Sequence, residues 1–424
     1  MGNIAATVNT ELPKSSRQFG TISLFLNRKG QAWSGNVSFP HRPIRYHHFE
    51  NSVLKMDFSL AWRPLFIQLK HNWPHPMEWL KVTLSGKRVY YAGLGYGDLA
   101  SLFDQYYVPF IFSETGILSF LDSNEYEVVK AANKIIDDNE PHFLTSSDMT
   151  PPSIKSLFDE IKKCWHKWQY FYKYDLSRLL QCQVNVLPPD SMICDYDVFP
   201  VIISTGCLYN CGFCKAKDGT EYALRTHAQI KTQTQTLLQR LQNEIVTFKG
   251  TFLGNQDGLC APEETIFYAV EMVKEQLPTV KNCFLFGSVE SLMSKSEKFF
   301  EILTQKGLDF YINIGIESLD KSVLELIKKP LAENMIHKAW ERINHLNKVF
   351  PRVEISVNIL ANTRLPKSHW NILVKHLNDE SSCSRGPIYL SPYNEKLGRD
   401  FFQIAKNIKK ETSRPVRIYN FVPL

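Results

Sequence analysis

The 424-residue sequence lacks any uninterrupted apolar stretch of about 18 residues, the minimum expected of a transmembrane helix. Its first residues are polar and show no apolar segment of a signal peptide. It also lacks a long run of lysine and arginine, and a net charge of +6 is mild for a chain of this size. We therefore expect a cytoplasmic protein with no membrane partner, and a nucleic-acid partner is disfavoured.

The cysteines are odd in number and mostly far apart, a pattern that disfavours a disulfide framework. Three of them, Cys207, Cys211 and Cys214, form a C-x3-C-x2-C group in a loop that contains Gly206 and Gly212. Thiolates in such a short loop are typical ligands of an iron–sulfur cluster. A structural zinc ion takes four protein ligands, and no fourth cysteine or histidine lies close by, so zinc is disfavoured.

From about residue 195 onward, buried strand patterns alternate with helical patterns, which predicts parallel β–α units. The fold class is therefore α/β, with a partial (β/α)6 TIM-like barrel over residues 195–424. We expect an irregular arm over residues 1–50 and an N-terminal α/β domain over residues 51–194. In barrels of this type the chemistry lies at the carboxyl ends of the strands.

The C-x3-C-x2-C group directly after the first strand of a β–α barrel resembles the radical S-adenosylmethionine superfamily. Phe213, just before the last cysteine, also fits that pattern. The resemblance implies a [4Fe–4S] cluster on Cys207, Cys211 and Cys214, whose open iron binds S-adenosylmethionine. It further implies reductive cleavage to a 5′-deoxyadenosyl radical, which abstracts hydrogen from a substrate.

The resemblance also implies that residues in the cysteine loop and at the strand ends bind S-adenosylmethionine: Tyr209, Phe213, Gly254, Asn255, Gln256, Asp257, Glu317, Ser318, Asn358 and Arg364. Some departures and alternatives stay open. The segment from Gly254 to Asp257 replaces the usual Gly-Gly-Glu run and is equally compatible with a polar turn. Ser318 is a candidate helix N-cap, and Arg364 is also compatible with an exposed loop.

Cys260 follows the second barrel strand, and a thiol there is a candidate catalytic hydrogen donor, although free cysteines are more often small buried hydrophobes. The D-x-H-x-x-G motif of cobalamin-dependent relatives is absent, so cobalamin is disfavoured.

The leading hypothesis for the function is a radical enzyme that acts on a small molecule such as a sugar or natural-product intermediate. It would require an electron donor such as flavodoxin or ferredoxin. Modification of RNA or of a peptide by the same chemistry is the alternative, and a non-enzymatic iron–sulfur sensor is the third hypothesis.

Overall fold

A computed structural model describes residues 17–19, 22–29, 45–50, 54–70, 79–92, 105, 107–111, 152–209, 211–214, 221–379, 385–393, 399–420 and 424. Every statement of absence or number below concerns these residues. None of the helices among them is both long and apolar enough to span a bilayer.

The N-terminal half contains an eight-stranded sheet in which each strand pairs antiparallel with the next one along the chain. Its strands are β1 (Arg17–Phe19), β2 (Ile22–Lys29), β3 (Arg45–Glu50), β4 (Leu54–Phe58), β5 (Pro64–Leu69), β6 (Trp79–Val82), β7 (Arg88–Ala92) and β8 (Val108–Ile111). Helix α1 (Pro152–Tyr170) follows, then a π-helical turn at Phe171–Asp175 and helix α2 (Leu176–Leu180).

The C-terminal half contains a parallel sheet whose strands lie side by side in chain order. These are β9 (Val198–Val201), β12 (Gly250–Leu253), β13 (Asn282–Gly287), β14 (Asp309–Glu317), β15 (Val353–Ala361), β16 (Ile388–Pro392) and β17 (Val416–Ile418). Two short strands, β10 (Ser204–Thr205) and β11 (Ala223–Leu224), pair antiparallel beside β9. The protein is therefore a mixed α/β fold with a parallel sheet.

Helices connect the parallel strands and cover the sheet. They are α3 (His227–Leu241), α4 (Glu263–Gln276), α5 (Val289–Ser294), α6 (Glu297–Gln305), α7 (Lys321–Leu326), α8 (Glu333–Val349), α9 (Lys367–Asp379) and α10 (Arg399–Lys410). Short 3-10 turns lie at Pro189–Cys194, Gln242–Thr247 and Gly258–Cys260. Side-chain oxygens of Thr226, Ser288 and Ser296 accept backbone N–H groups at the starts of α3, α5 and α6, which fixes where these helices begin.

A buried charge cluster joins the antiparallel sheet to the amino-terminal edge of the parallel sheet. The guanidinium of Arg63 donates from Nε to Glu244 Oε1 at 2.6 Å and from Nη2 to Asp197 Oδ2 at 2.5 Å. Ser59 donates to the second oxygen of Glu244, and the Arg63 side chain is fully buried. Because Asp197 directly precedes β9, this cluster fixes the first parallel strand against the N-terminal half.

The structure differs from the sequence-based expectations mainly in the N-terminal half. Strands β1, β2 and β3 lie within residues 1–50, for which an irregular arm is expected. The strands that follow extend the same antiparallel sheet, whereas an α/β domain is expected over residues 51–194. Strand β5 is buried at every position, so the alternation of apolar and polar residues that marks a strand with one solvated face is weak there.

Replacing Arg63 with Met should lower the free energy of unfolding by about 3–5 kcal/mol, because two buried carboxylates lose their shared cation. Urea denaturation followed by circular dichroism measures this change. Arg352→Met is the matched control, since Arg352 and Asp309 form a half-exposed pair at 3.5 Å that is worth less than about 1 kcal/mol. Equal losses in both variants would contradict a structural role for the buried cluster.

Candidate cofactor cavity

A cavity of about 130 Å³, open to solvent, lies at the carboxyl ends of the parallel strands. Its walls come from the cysteine loop, from every strand of the parallel sheet or the loop after it, and from the segment before the sheet. The lining residues are Val186, Cys207, Tyr209, Cys211, Phe213, Cys214, Gln256, Asp257, Phe286, Gly287, Ser288, Asn313, Gly315, Glu317, Lys329, Asn358, Leu360, Ser391 and Tyr419.

The three cysteines of the motif all line this cavity. Their loop is held at both ends. It begins at β10, which pairs with β11, and Gly212 N–H donates to the carbonyl of Ile327 at 3.1 Å. Burial raises the pKa of Cys207 to about 12, with Asp257 adding to the rise. Because a thiol must lose its proton to become a ligand, iron binding at Cys207 would release that proton.

Among the described side chains, no three or more from His, Cys, Asp and Glu converge on the position of a single metal ion. A cubane cluster places each thiolate on a different iron, so its ligands surround a larger object. The donor set, three thiols in one loop at the mouth of a cavity, fits such a cluster.

The segment after β12 forms a tight turn that brings Asp257 into the cavity. Gly254 has φ of +94°, and a Cβ there would lie 2.6 Å from the Cα of Gly258, so glycine is required. Asp257 Oδ1 accepts the N–H groups of Cys260 at 3.2 Å and Ser288 at 3.3 Å. Its Oδ2 is buried without a partner, and burial raises the pKa of this carboxyl.

Glu317 ends β14 with a left-handed backbone, φ of +67°, and its buried carboxylate faces the cavity. Lys329 Nζ lies 3.6 Å from Glu317 Oε1 and donates to the carbonyl of Gly315 at 2.5 Å. Burial raises the pKa of Glu317, and the nearby ammonium of Lys329 opposes that rise. A non-glycine residue with positive φ beside a buried ion pair is typical of a strained functional position.

Several buried oxygens that line the cavity have no hydrogen-bond partner among the residues that the structure describes: Tyr209 OH, Asp257 Oδ2, Asn313 Oδ1, Asn358 Oδ1 and Ser391 Oγ. An unpaired buried polar atom costs about 1–3 kcal/mol, so native proteins keep few of them. Five of the sixteen such atoms among the described residues line this one cavity, which suits a polar ligand that completes their hydrogen bonds.

Nine of the residues predicted from the sequence line the cavity: Cys207, Tyr209, Cys211, Phe213, Cys214, Gln256, Asp257, Glu317 and Asn358. Five others do not appear among its walls: Gly254, Asn255, Cys260, Ser318 and Arg364. Gly254 and buried Asn255 belong to the adjoining turn. For Cys260, a role as hydrogen donor stays a prediction.

Ser318 and Arg364 lie apart from the cavity walls. Ser318 Oγ is 2.8 Å from His369 Nδ1 and accepts the N–H of Asp320, so it organises the loop before α7. The N-cap of α7 is Asp320, which accepts the N–H of Ser322 at 2.8 Å. Arg364 is exposed, in accordance with the loop alternative for that residue.

Sequence reasoning missed several polar residues of the cavity, among them Asn313 and Lys329. Asn313 lies within the otherwise apolar run of β14, and a polar residue in a buried strand is itself a signal that it has a partner. Lys329 follows α7 in an irregular segment, and no local pattern distinguishes it from the exposed Lys328 beside it.

No protein-family model matches this chain, and no curated protein matches it. Among solved structures, SuiB from Streptococcus suis is similar over 82% of this chain and 72% of its own, with 10% identity and a TM-score of 0.36. The coproporphyrinogen III oxidase HemN from Escherichia coli, described as a radical SAM enzyme, matches 51% of this chain with 14% identity and a TM-score of 0.34.

The cobalamin-dependent S-adenosylmethionine radical enzyme OxsB is similar over 53% of this chain, with 14% identity and a TM-score of 0.36. This chain spans about a third of OxsB (33%) and less than half of HemN (46%). HemN and OxsB are radical S-adenosylmethionine enzymes, the class that the cysteine motif resembles. Because the TM-scores are below 0.5, these similarities assign no chemistry to this chain.

Replacing Lys329 with Met should destabilise the protein more at high pH than at low pH. Without the ammonium, the folded-state pKa of Glu317 rises further above its unfolded value, so stability is kept at acidic pH and lost as pH rises. We expect a loss of about 3 kcal/mol at pH 8 and a smaller one at pH 5.

Urea denaturation from pH 5 to pH 8 measures this difference. Lys321→Met is the control, because Lys321 and Glu325 form an exposed i,i+4 pair whose removal has little effect at any pH. A pH-independent loss in the Lys329 variant would show that the lysine does not balance the charge of Glu317.

Proposed function

We propose that this chain is a radical S-adenosylmethionine enzyme whose [4Fe–4S] cluster is held by Cys207, Cys211 and Cys214. One observation carries the proposal. The three thiols of a C-x3-C-x2-C loop, directly after the first parallel strand, line the same cavity as strand-end polar atoms that lack partners. A loop of three thiolates leaves one iron of a cubane without a protein ligand, and the polar atoms beside it suit a polar cosubstrate.

The strand order supports a partial barrel as the scaffold of this site. The seven parallel strands follow chain order, and within the described residues β9 and β17 pair only on their inner sides. An arrangement of this kind matches an opened (β/α) barrel, in which the strand ends converge on one site. We propose residues 195–424 as this catalytic unit, with the N-terminal sheet β1 to β8 as a domain that packs against it, and a cytoplasmic location.

The residues of the cavity have distinct proposed roles toward S-adenosylmethionine. The turn from Gly254 to Asp257 offers backbone carbonyls and a carboxylate oxygen without a partner. Glu317 offers a second carboxylate, held in place by Lys329. On β15, Asn358 offers an amide oxygen without a partner at the level of Gly315.

When bound, the cluster and S-adenosylmethionine would supply a one-electron reductive cleavage and a 5′-deoxyadenosyl radical that abstracts hydrogen from the substrate. The chain's own task is then to orient the bound groups and to exclude water from them. Phe286, Leu360 and Val186 supply apolar wall, while Ser391 offers a polar atom on the substrate side. We propose a small-molecule substrate in this space and a flavodoxin or ferredoxin as the source of the electron.

The test is anaerobic reconstitution with iron and sulfide, reduction with dithionite, and quantification of 5′-deoxyadenosine. The wild type should form it, and Cys211→Ala should form none, because one iron loses its protein ligand. Cys283→Ala is the matched control, since Cys283 is buried at the start of β13, at the opposite edge of the sheet.

Two outcomes would contradict the proposal. The first is an absence of 5′-deoxyadenosine with every reductant although the cluster assembles, which would favour a sensor. The second is an equal yield from the wild type and Cys211→Ala. Absorbance near 400 nm, typical of an iron–sulfur chromophore, reports cluster content independently of turnover, so loss of the cluster is separated from loss of activity.

A further inference from the structure

A chain of buried hydrogen bonds runs beneath the cavity and ends at Asn313. Arg417 Nη1 donates to Tyr389 OH at 3.3 Å, and Tyr389 OH donates to Asp190 Oδ1 at 3.0 Å. From the other side, Ser356 Oγ donates to Asp190 Oδ2 at 2.6 Å, and Asn313 Nδ2 donates to Ser356 Oγ at 2.8 Å. Every donor in the chain therefore points toward Asp190.

This direction fixes the orientation of the Asn313 amide. A carboxylate only accepts hydrogen bonds, so the single proton of Ser356 goes to Asp190. The Ser356 oxygen can then only accept from Asn313, which commits the amide nitrogen to that contact. The amide oxygen of Asn313 must face away from Ser356, and it is one of the unpartnered buried oxygens of the cavity.

Asn313 lies well below the residues proposed to hold the cosubstrate. It precedes Glu317 by four residues on β14 and is level with Ser356 on β15. Asn358 is level with Gly315, so at about 3.3 Å per residue Asn313 is about 7 Å deeper along the sheet than Asn358, and it is deeper still relative to Glu317. A group that reaches this oxygen therefore belongs to a molecule that occupies the floor of the cavity rather than the strand ends.

We infer that Asn313 is a specificity-determining residue whose amide oxygen accepts a hydrogen bond from a hydroxyl or amino group of the substrate. The inference depends on the proposed function in one respect, namely that the molecule bound there is a substrate. A fixed acceptor, fully buried and without a partner, favours a ligand with a donor and rejects a ligand of the same shape without one. Phe286 is level with Asn313 on the neighbouring strand β13, and together with Leu360, which lies further along β15, it suits an apolar body attached to that donor.

The test uses two probes of nearly equal shape, cyclohexanol with a hydroxyl donor and cyclohexanone with only an acceptor. Saturation-transfer NMR titrations on the full chain, as purified and after reconstitution with S-adenosylmethionine, give the dissociation constants. The wild type should bind cyclohexanol about tenfold more tightly than cyclohexanone. Asn313→Leu should abolish that preference, because the acceptor is gone.

Ser356→Ala provides a second variant that keeps Asn313 itself. Without the Ser356 oxygen the amide is free to turn its nitrogen toward the cavity, so the preference should shift toward cyclohexanone. Asn282→Leu is the matched control at the amino end of β13, and it should keep the wild-type preference.

Equal affinity of the wild type for the two probes, no binding of either, or an unchanged preference in Asn313→Leu would each overturn the inference. The probe preference is read without turnover. Its failure is therefore distinguishable from a failure to form 5′-deoxyadenosine, which concerns the proposed function alone.

Discussion

The site depends on one geometric constraint, the common direction of the parallel strands. Since β9 and β12 to β17 run the same way and lie in chain order, all their carboxyl ends meet at one edge. The cysteine loop after β9, the turn after β12, Glu317 at the end of β14 and Ser391 near the end of β16 thereby line one cavity, although they are far apart in sequence. A polar residue placed on the inner face of any of these strands becomes part of the same site.

Buried polar groups divide into two kinds that have opposite meanings. At the amino-terminal edge and in the interior most of them pair with one another: Glu244 and Asp197 share Arg63, and Asp190 accepts from Tyr389 and Ser356. Such networks favour one arrangement because opposite charges and donors meet acceptors, although Arg63 Nη1 and Asp197 Oδ1 have no hydrogen-bond partner among the described residues. In the cavity, by contrast, Asp257 and Asn358 each keep a buried oxygen without one. A folded protein tolerates this cost where a ligand will supply the missing donor.

The sequence was sufficient to predict the C-terminal half, and β15 lies over Val353–Ala361 as the apolar pattern predicts. Long apolar strands that alternate with amphipathic helices are strong signals, and glycine turns mark their ends. The motif cysteines could be predicted because three identical ligands occur close together in the chain. Lys329 could not be predicted, because it contacts Gly315 and Glu317 only once the fold brings the segment after α7 close to the end of β14. Similarly, Ser318 resembles a cofactor ligand in sequence, but its hydroxyl contacts His369 from α9.

The contacts between the two halves suggest what the N-terminal sheet contributes to the site. The side chain of Gln105 makes two hydrogen bonds to the backbone of Ile418 at the end of the edge strand β17. It donates to the Ile418 carbonyl at 2.8 Å and accepts the Ile418 N–H at 2.7 Å. The next residue, Tyr419, lines the cavity, and its hydroxyl donates to the carbonyl of Leu187. Asn420 in turn donates to the carbonyl of Pro109 on β8 at 3.0 Å. An edge strand of three residues has too few ladder hydrogen bonds to hold a cavity wall by itself. The N-terminal half supplies the missing ones, so it acts on the cavity by fixing the position of Tyr419.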